Sequence, residues 1–561
     1  MNFEYSPVPT LQDLVDTASA PFEAWTFDDH AARRSAEEAL AAKGITARIR
    51  SAYKPLLHFF LEDVPPGLVA ATIRWPVHEA AEPNRFLLES YPLAALFPQA
   101  RLSFEQGDTG LHYTVDLTYR DRTEQHRVLA PNRVHTDHVG QTVLSPTGWR
   151  SDADGSRRLE TDYEQMFHAA MAAIAEHDWG PCEPYFQELN IAATVPARDL
   201  DLGYEDEIVS LAEALHEDFY FSCLEFFQKF SGRPLGDRHL QPGQIVPEVT
   251  QGATCTLQIS LRPFDQVERA GEWQNLDRAA APLSNAQIRT ELAQIGGPSL
   301  TAQSHAGRPV EARHHQGRGK PVMISAGQHA NETTPVVGAL RAAHRLAQQQ
   351  ADFVISPMEN PDGYALHGRL SALTPRHMLH AARYTALGDD LEYREPGGPL
   401  YEKEIRNQAE EVSGAKLHVN LHGYPAHEWT RPLTGYIPRN FAMWTLPKGF
   451  FLVLRYREGW KGMADQLIDR VTASLQQVAG LGDFNARQID LYRTHAGQTG
   501  FEMINGFPCY VHQDDRHSVP LTLITEYPDE TVYGPQFVAG HEAQMQTVLA
   551  AHAAWQQIGA G

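Results

Sequence analysis

Cysteine is scarce: the 561 residues hold four (Cys182, Cys223, Cys255 and Cys509), with no close pair among them. That spacing excludes a zinc-ribbon ligand set and a disulfide framework. It fits a reducing cytoplasm, with the thiols serving as small buried apolar groups. Long apolar runs are lacking too. Residues 450–454, FFLVL, form one of the longest, far short of the roughly 20 residues of a membrane span. The opening stretch, MNFEYSPVPTLQDLVD, has neither the basic nor the apolar region of a secretion signal. Positive charge is also short, with 47 Lys and Arg against 70 Asp and Glu and a formal net charge of −23. So acidic a chain is not expected to bind nucleic acid generally or to dock on anionic lipid. No internal repeat or low-complexity tract is present. What remains is an ordinary globular composition, 42% hydrophobic and 21% charged, and enough chain for roughly two to four domains.

The first 280 residues read as an α+β domain. Residues 112–119 and 255–261 alternate like half-buried strands. Tyr163, Met166, Ala170 and Ala173 form one helical stripe, and Ile208, Leu211, Ala212, Leu215 and Phe219 another. A polar linker spans about 264–282. Ser284, with Gln287 three residues on and Leu283 and Ile288 flanking, then predicts a helix start with a capping box and a hydrophobic staple. Beyond it strands alternate with helices: 321–327, 352–357, 416–422 and 521–525 are apolar, with amphipathic stripes between and after them. The second domain, 281–561, is therefore expected to be α/β, with a mixed, mostly parallel sheet flanked by helices.

Chemistry-bearing residues gather at the carboxyl ends of those strands, where open α/β sheets form their sites. The first strand leads into Gln328-His329-Ala330-Asn331-Glu332, the second into Asn360-Pro361-Asp362-Gly363-Tyr364, the third ends in His422 and the last in Glu526. In the third strand His418, Asn420 and His422 share a face, a costly placement in a core strand unless that face lines a cavity. Two His and one carboxylate are a ligand set for a catalytic zinc with an open position, so His329, Glu332 and His422 are the candidate ligands of one Zn2+. Glu526 is then a second carboxylate available as general base.

The ordered pieces HANE (329–332), NPDGY (360–364), HVNLHGY (418–424) and ITEY (524–527) resemble the zinc carboxypeptidase family over about residues 284–560. The resemblance implies zinc on His329, Glu332 and His422, and Glu526 as base. It implies an arginine that polarises the scissile carbonyl: Arg376 is best spaced, with Arg369 and Arg383 as rivals. It implies a pair gripping the substrate's terminal carboxylate, here Tyr393 with Arg394, where Tyr393 replaces an asparagine. Asp389 or Asp390 is the expected partner of His329. Tyr510 is a candidate for the family's mobile tyrosine, and 429–444 for a rim loop. Asn420 stands where the family usually has aspartate.

The implied activity is zinc-dependent hydrolysis of a peptide's C-terminal bond. The alternatives are an amidase or deacylase on a small N-acyl amino acid or peptide-like metabolite, and a metal-bound scaffold without catalysis. The N-terminal domain is a candidate for narrowing the cleft mouth, for homo-oligomerisation or for inhibition. Expected partners are a peptide or peptide-like substrate, with neither nucleic acid nor membrane. His427-Glu428 and the pair His135 and His138 also have ligand-like spacing and are read as surface or hydrogen-bonded residues.

Overall fold

The computed structural model describes residues 1–395, 397–427, 433 and 448–559. The second half is organised by a nine-stranded sheet. Its strands are β1 (Ser299–Gln303), β2 (Pro309–His315), β3 (Arg318–Ser325), β4 (Ala351–Ser356) and β5 (Leu417–Pro425). They continue with β6 (Phe451–Tyr456), β7 (Glu502–Ile504), β8 (Phe507–Gln513) and β9 (Leu521–Glu530). The spatial order is β1-β2-β4-β3-β5-β9-β6-β8-β7. The centre is parallel: β3 pairs with β4 and β5, and β5 with β9. The flanking pairs β1–β2, β2–β4, β6–β9 and β7–β8 are antiparallel. The expected mixed α/β sheet flanked by helices is therefore what the chain adopts, with parallel and antiparallel strand pairs in equal number.

Alternation within β5 explains its position. Leu417, Val419 and Leu421 are at most 1% exposed and join the apolar core beneath helices. Each such burial contributes about 1.5–3 kcal/mol. The helices that matter for the site are α1 (Asn285–Ile295), α2 (Thr334–Gln348), α3 (Pro361–Ser371) and α4 (Pro535–Gln557). α2 and α4 touch backbone-close at Gly338, where an added Cβ would lie 2.4 Å from the Gln544 Cβ.

Ser284 caps α1, accepting from the Gln287 N–H at 3.2 Å. The predicted reciprocal half of the capping box is replaced. The Gln287 side chain exchanges hydrogen bonds with the Gln274 backbone instead, pinning the polar connection onto the helix. The cysteine expectation holds for Cys223, Cys255 and Cys509, whereas Cys182 is exposed.

The N-terminal residues form three four-stranded sheets and several helices, the longest being Leu211–Phe230. Their apolar core does not stop at the linker. It takes in Leu366, Leu370, Met378, Leu379, Ala381 and Ala382 from the second half. A buried ion pair crosses the same boundary. Glu213 and His427 are both fully buried, with His427 Nε2 2.9 and 3.0 Å from the two carboxylate oxygens. His427 is thus an interior anchor, while Glu428 and the proposed rim loop, apart from Leu433, lie outside the described residues.

Burial opposes charge on both members of that pair, yet each sustains the other: Glu213 sits below its ordinary 4.5, and His427 well above its ordinary 6.5. The Glu213 contribution is present above the ordinary carboxylate pKa and is lost as pH falls through the depressed one. The His427 contribution is present below the ordinary imidazole pKa and is lost as pH rises through the raised one. Both are whole between the ordinary values of 4.5 and 6.5. Glu213→Gln should cost about 3–5 kcal/mol in urea unfolding at pH 5.5. Unchanged unfolding midpoints would show that this pair does not tie the halves together.

Candidate metal centre

Three chain reversals build the site. After β3 the backbone turns through Gly327 to Glu332 before α2 begins, with the Glu332 N–H donating to the His329 carbonyl at 3.2 Å. Asn360 holds this turn from beside it. Its N–H donates to the Gly327 carbonyl at 2.9 Å, its Oδ1 caps α3 through Gly363 N–H at 2.9 Å, and its Nδ2 reaches the Arg383 carbonyl at 3.4 Å. Asp362 anchors the preceding hairpin by accepting from Ser304, Ala306 and Arg308. The N-P-D-G stretch therefore works as a bracket. Finally, the β5–β9 register sets His422 beside Glu526.

His329, Glu332 and His422 each bring one donor atom within 4.8 Å of the others, and this is the metal-competent cluster found among the described residues. Glu332 Oε1 lies 2.8 Å from His329 Nδ1, and Oε2 lies 3.0 Å from His422 Nδ1. The two Nδ1 atoms are 3.1 Å apart. Gly423 N–H donates to Glu332 Oε2 at 3.0 Å. A side chain at 423 is excluded, because its Cβ would fall 2.0 Å from Asp529 Oδ1. Asp529 in turn accepts from Thr334 N–H and Oγ1 at 2.9 and 2.8 Å, fixing the start of α2.

The donors fit zinc on their chemistry. Two imidazole nitrogens that face each other at 3.1 Å can share at most one proton between them, whereas one cation satisfies both. Burial lowers the His422 pKa, which favours the neutral ligand form. Burial would raise Glu332, but His329, Arg383 and His422 outweigh it and keep it a carboxylate. At His329, burial and Arg383 push down, while Glu332 and Asp390 win and lift it to about 9. Asp390 Oδ2 lies 3.3 Å from His329 Nε2, so of the two expected aspartates it is Asp390 that orients the ring. Glu526 is pushed up to about 8, first by burial and then by Glu332.

Beneath the ligands runs a polar chain. Ser325 Oγ contacts His418 and Asn420 at 2.6 and 2.8 Å, Asn420 donates to Gln328, and Gln328 donates to Asp390. Asn420 is satisfied there as an amide. The polar face of β5 is the roof of this network, which accounts for three buried polar residues on one core strand.

The other candidates fall elsewhere. Arg376 faces away, paired with Asp201 at 2.8 Å. Arg369 is held by Glu188 at 2.8 Å. Among the described residues, the guanidinium at the site is that of Arg383, whose Nη1 donates to Glu332 Oε1 at 2.6 Å. Arg394 is enclosed by Asp389, Glu402 and Thr385, which leaves it no face for a substrate. Tyr393 lies between the guanidinium groups of Arg238 and Arg516, 5.3 and 5.6 Å from its ring. Tyr510 is half exposed on β8, two strands from β9, with its ring against His512. His135 is hydrogen-bonded to Ser145.

Sequence spacing missed Glu530, which is 2% exposed and 3.7 Å from Arg383 Nη1. It also missed Lys448, seated over the rings of Phe451, Tyr492 and Phe501, with its amine lowered to about 7 by burial. Neither sits in a motif. The only cue was proximity in sequence to Glu526 for the first and to a run of aromatics for the second.

The sequence model of the family described as zinc carboxypeptidase matches residues 288–392. No curated protein matches the sequence. A metallo-carboxypeptidase from Burkholderia cenocepacia is similar at 14% identity, covering 54% of this chain and 75% of its own, with a TM-score of 0.30. A metallo-carboxypeptidase from Pseudomonas aeruginosa, solved with (2-guanidinoethylmercapto)succinic acid, gives 15%, 55%, 76% and 0.29. Carboxypeptidase A from Helicoverpa armigera gives 11%, 56%, 91% and 0.30.

Two outcomes follow from the geometry. Purified protein should contain one zinc per chain, and His422→Ala should lose most of it in elemental analysis; equal content in both would remove His422 from the ligand set. Arg394→Ala leaves Asp389 and Glu402 buried without their cation and should lower stability by about 3–5 kcal/mol in chemical unfolding. Over residues 288–392 the chain thus matches the zinc carboxypeptidase family model, and its third candidate ligand and late glutamate come from β5 and β9 outside that match.

Proposed function

We propose that the protein is a zinc-dependent hydrolase of an amide bond in a peptide or peptide-like substrate, the leading form being removal of a C-terminal residue. One observation carries this reading: Glu526 stands in register beside His422, so a carboxylate outside the ligand set borders the cluster formed by His329, Glu332 and His422. A bound zinc would supply Lewis-acid polarisation of a carbonyl and acidify water. Glu526 takes the proton of the attacking water and passes it to the leaving nitrogen, and its raised pKa suits a group that must both accept and return a proton near neutrality. Arg383 offers its guanidinium to the charge that develops on the carbonyl oxygen. Asp390 keeps His329 oriented throughout.

A second reading, an amidase or deacylase acting on a small N-acyl amino acid, draws support from Arg394. Its enclosure by Asp389 and Glu402 removes the arginine expected to clamp a terminal carboxylate. Peptides with free and with amidated carboxyl ends, alongside N-acyl amino acids, separate the two. Strong preference for the free peptide end supports the carboxypeptidase form, and selective cleavage of the acyl compounds supports the other.

Glu526→Gln preserves size and removes basicity. We expect a folded, zinc-loaded protein that binds substrate and loses about 10²–10⁴-fold in kcat. Wild-type turnover in that variant would move the base elsewhere, and loss of zinc with activity would make Glu526 a ligand.

A further inference from the structure

Arg383 leaves the catalytic half of the chain in an unusual setting, because the segment that carries it is moulded by N-terminal residues. His377 Nε2 is 2.7 Å from Asp199 Oδ2 and 3.1 Å from Ser210 Oγ. Met378 N–H donates to Glu213 at 2.9 Å. His380 Nδ1 lies 3.0 Å from Glu217 Oε2, both residues being at least 95% buried, and its ring stands edge-on to Phe221 at 5.0 Å. Tyr384 stacks on Tyr220. The N-terminal apolar core encloses Met378, Leu379, Ala381 and Ala382. One helix, Leu211–Phe230, supplies Glu213, Glu217, Tyr220 and Phe221 to these contacts.

The link from that helix to the metal cluster is short. His380 opens a single 3₁₀ turn, and its carbonyl accepts from the Arg383 N–H at 2.9 Å. Where Glu217 holds His380, the backbone of Arg383 is therefore held as well. The guanidinium then has two carboxylates to choose from. Its Nη1 is 2.6 Å from Glu332 Oε1 and 3.7 Å from Glu530 Oε1. Both Glu530 oxygens are buried and lack a hydrogen-bond partner, a state that normally costs about 1–3 kcal/mol. A cation poised between two carboxylates takes its position from its backbone, and a shift of about 1 Å at a catalytic group can cost on the order of 100-fold in rate.

We propose that the N-terminal half is a built-in part of the catalytic centre, and that Glu217, acting through His380, is the positioning residue for Arg383. The proposal rests on the reading that Arg383 meets charge developing in the transition state. It gives the first 280 residues a role other than inhibition or assembly: they hold the face of the cleft that answers the metal.

The test uses the full-length, zinc-loaded protein. Glu217→Gln and His380→Gln break the same link from opposite sides. Each should lower kcat by roughly 10- to 100-fold, with KM changing much less, because Arg383 acts on the transition state. In an Arg383→Lys background neither should cause a further comparable loss, whereas a merely structural defect would subtract the same factor in both backgrounds. Glu217→Asp, which keeps the carboxylate, should recover part of the rate.

Unchanged kcat in folded Glu217→Gln and His380→Gln, or equal losses with and without Arg383, would overturn the proposal. Should one variant fail to fold, the other decides. Should the parent hydrolyse no amide at all, it is the proposed function that fails. Crystal structures of the two variants then judge this inference alone: a displaced Arg383 guanidinium supports it, and an unmoved one overturns it.

Discussion

Glu332 is the carboxylate on which the site closes. One oxygen meets His329 and Arg383, and the other meets His422 and the Gly423 N–H. Three chain segments, 329–332, 383 and 422–423, therefore converge on two atoms. An isolated carboxylate at 1% exposure would be neutralised by protonation. Here the cationic and donor partners more than repay burial, and the group stays ionised. Glu332 and Asp390 together outweigh burial at His329 and favour positive charge at that point of the site.

The surroundings follow from that concentration of charge. Among the described residues, Glu526, Asp529 and Glu530 act on Glu332 and Asp390 acts on His329, with Arg383 the guanidinium among them. Burial raises Glu526 to about 8 and Glu530 to about 7, and lifts Asp529 well above its ordinary range. Carboxyl groups driven towards neutrality in this way are poised to exchange protons, which is what hydrolysis of an amide requires of its base. The polar face of β5 and the Gln328–Asp390 chain make such a site tolerable inside a sheet, because Ser325, His418, Asn420, Gln328 and Asp390 satisfy one another there.

The two halves of the chain share this load. The apolar core of the N-terminal sheets runs on into residues 366–382, and the fully buried Glu213–His427 pair crosses the same boundary. A composition break near 264–282 is visible in sequence, yet the packing ignores it. The connection is polar because it lies on the surface, where Gln274 ties it to α1.

Sequence alone determined the α/β layout and the identity of the convergent residues, because both depend on local order. Alternation in β5 puts His418, Asn420 and His422 on one face, and strand ends in an open sheet converge whatever the loops do. Which arginine stands at the site was beyond its reach. Arg369, Arg376 and Arg383 all follow the N-P-D-G stretch at plausible spacing, Arg394 is read there as the carboxylate clamp, and where each goes falls to distant carboxylates. Glu188 takes Arg369, Asp201 takes Arg376, and Asp389 with Glu402 takes Arg394. The tertiary structure decided this, because a guanidinium goes to whichever buried anion the fold brings within hydrogen-bond reach, and two of those anions, Glu188 and Asp201, belong to the half of the chain that carried no motif.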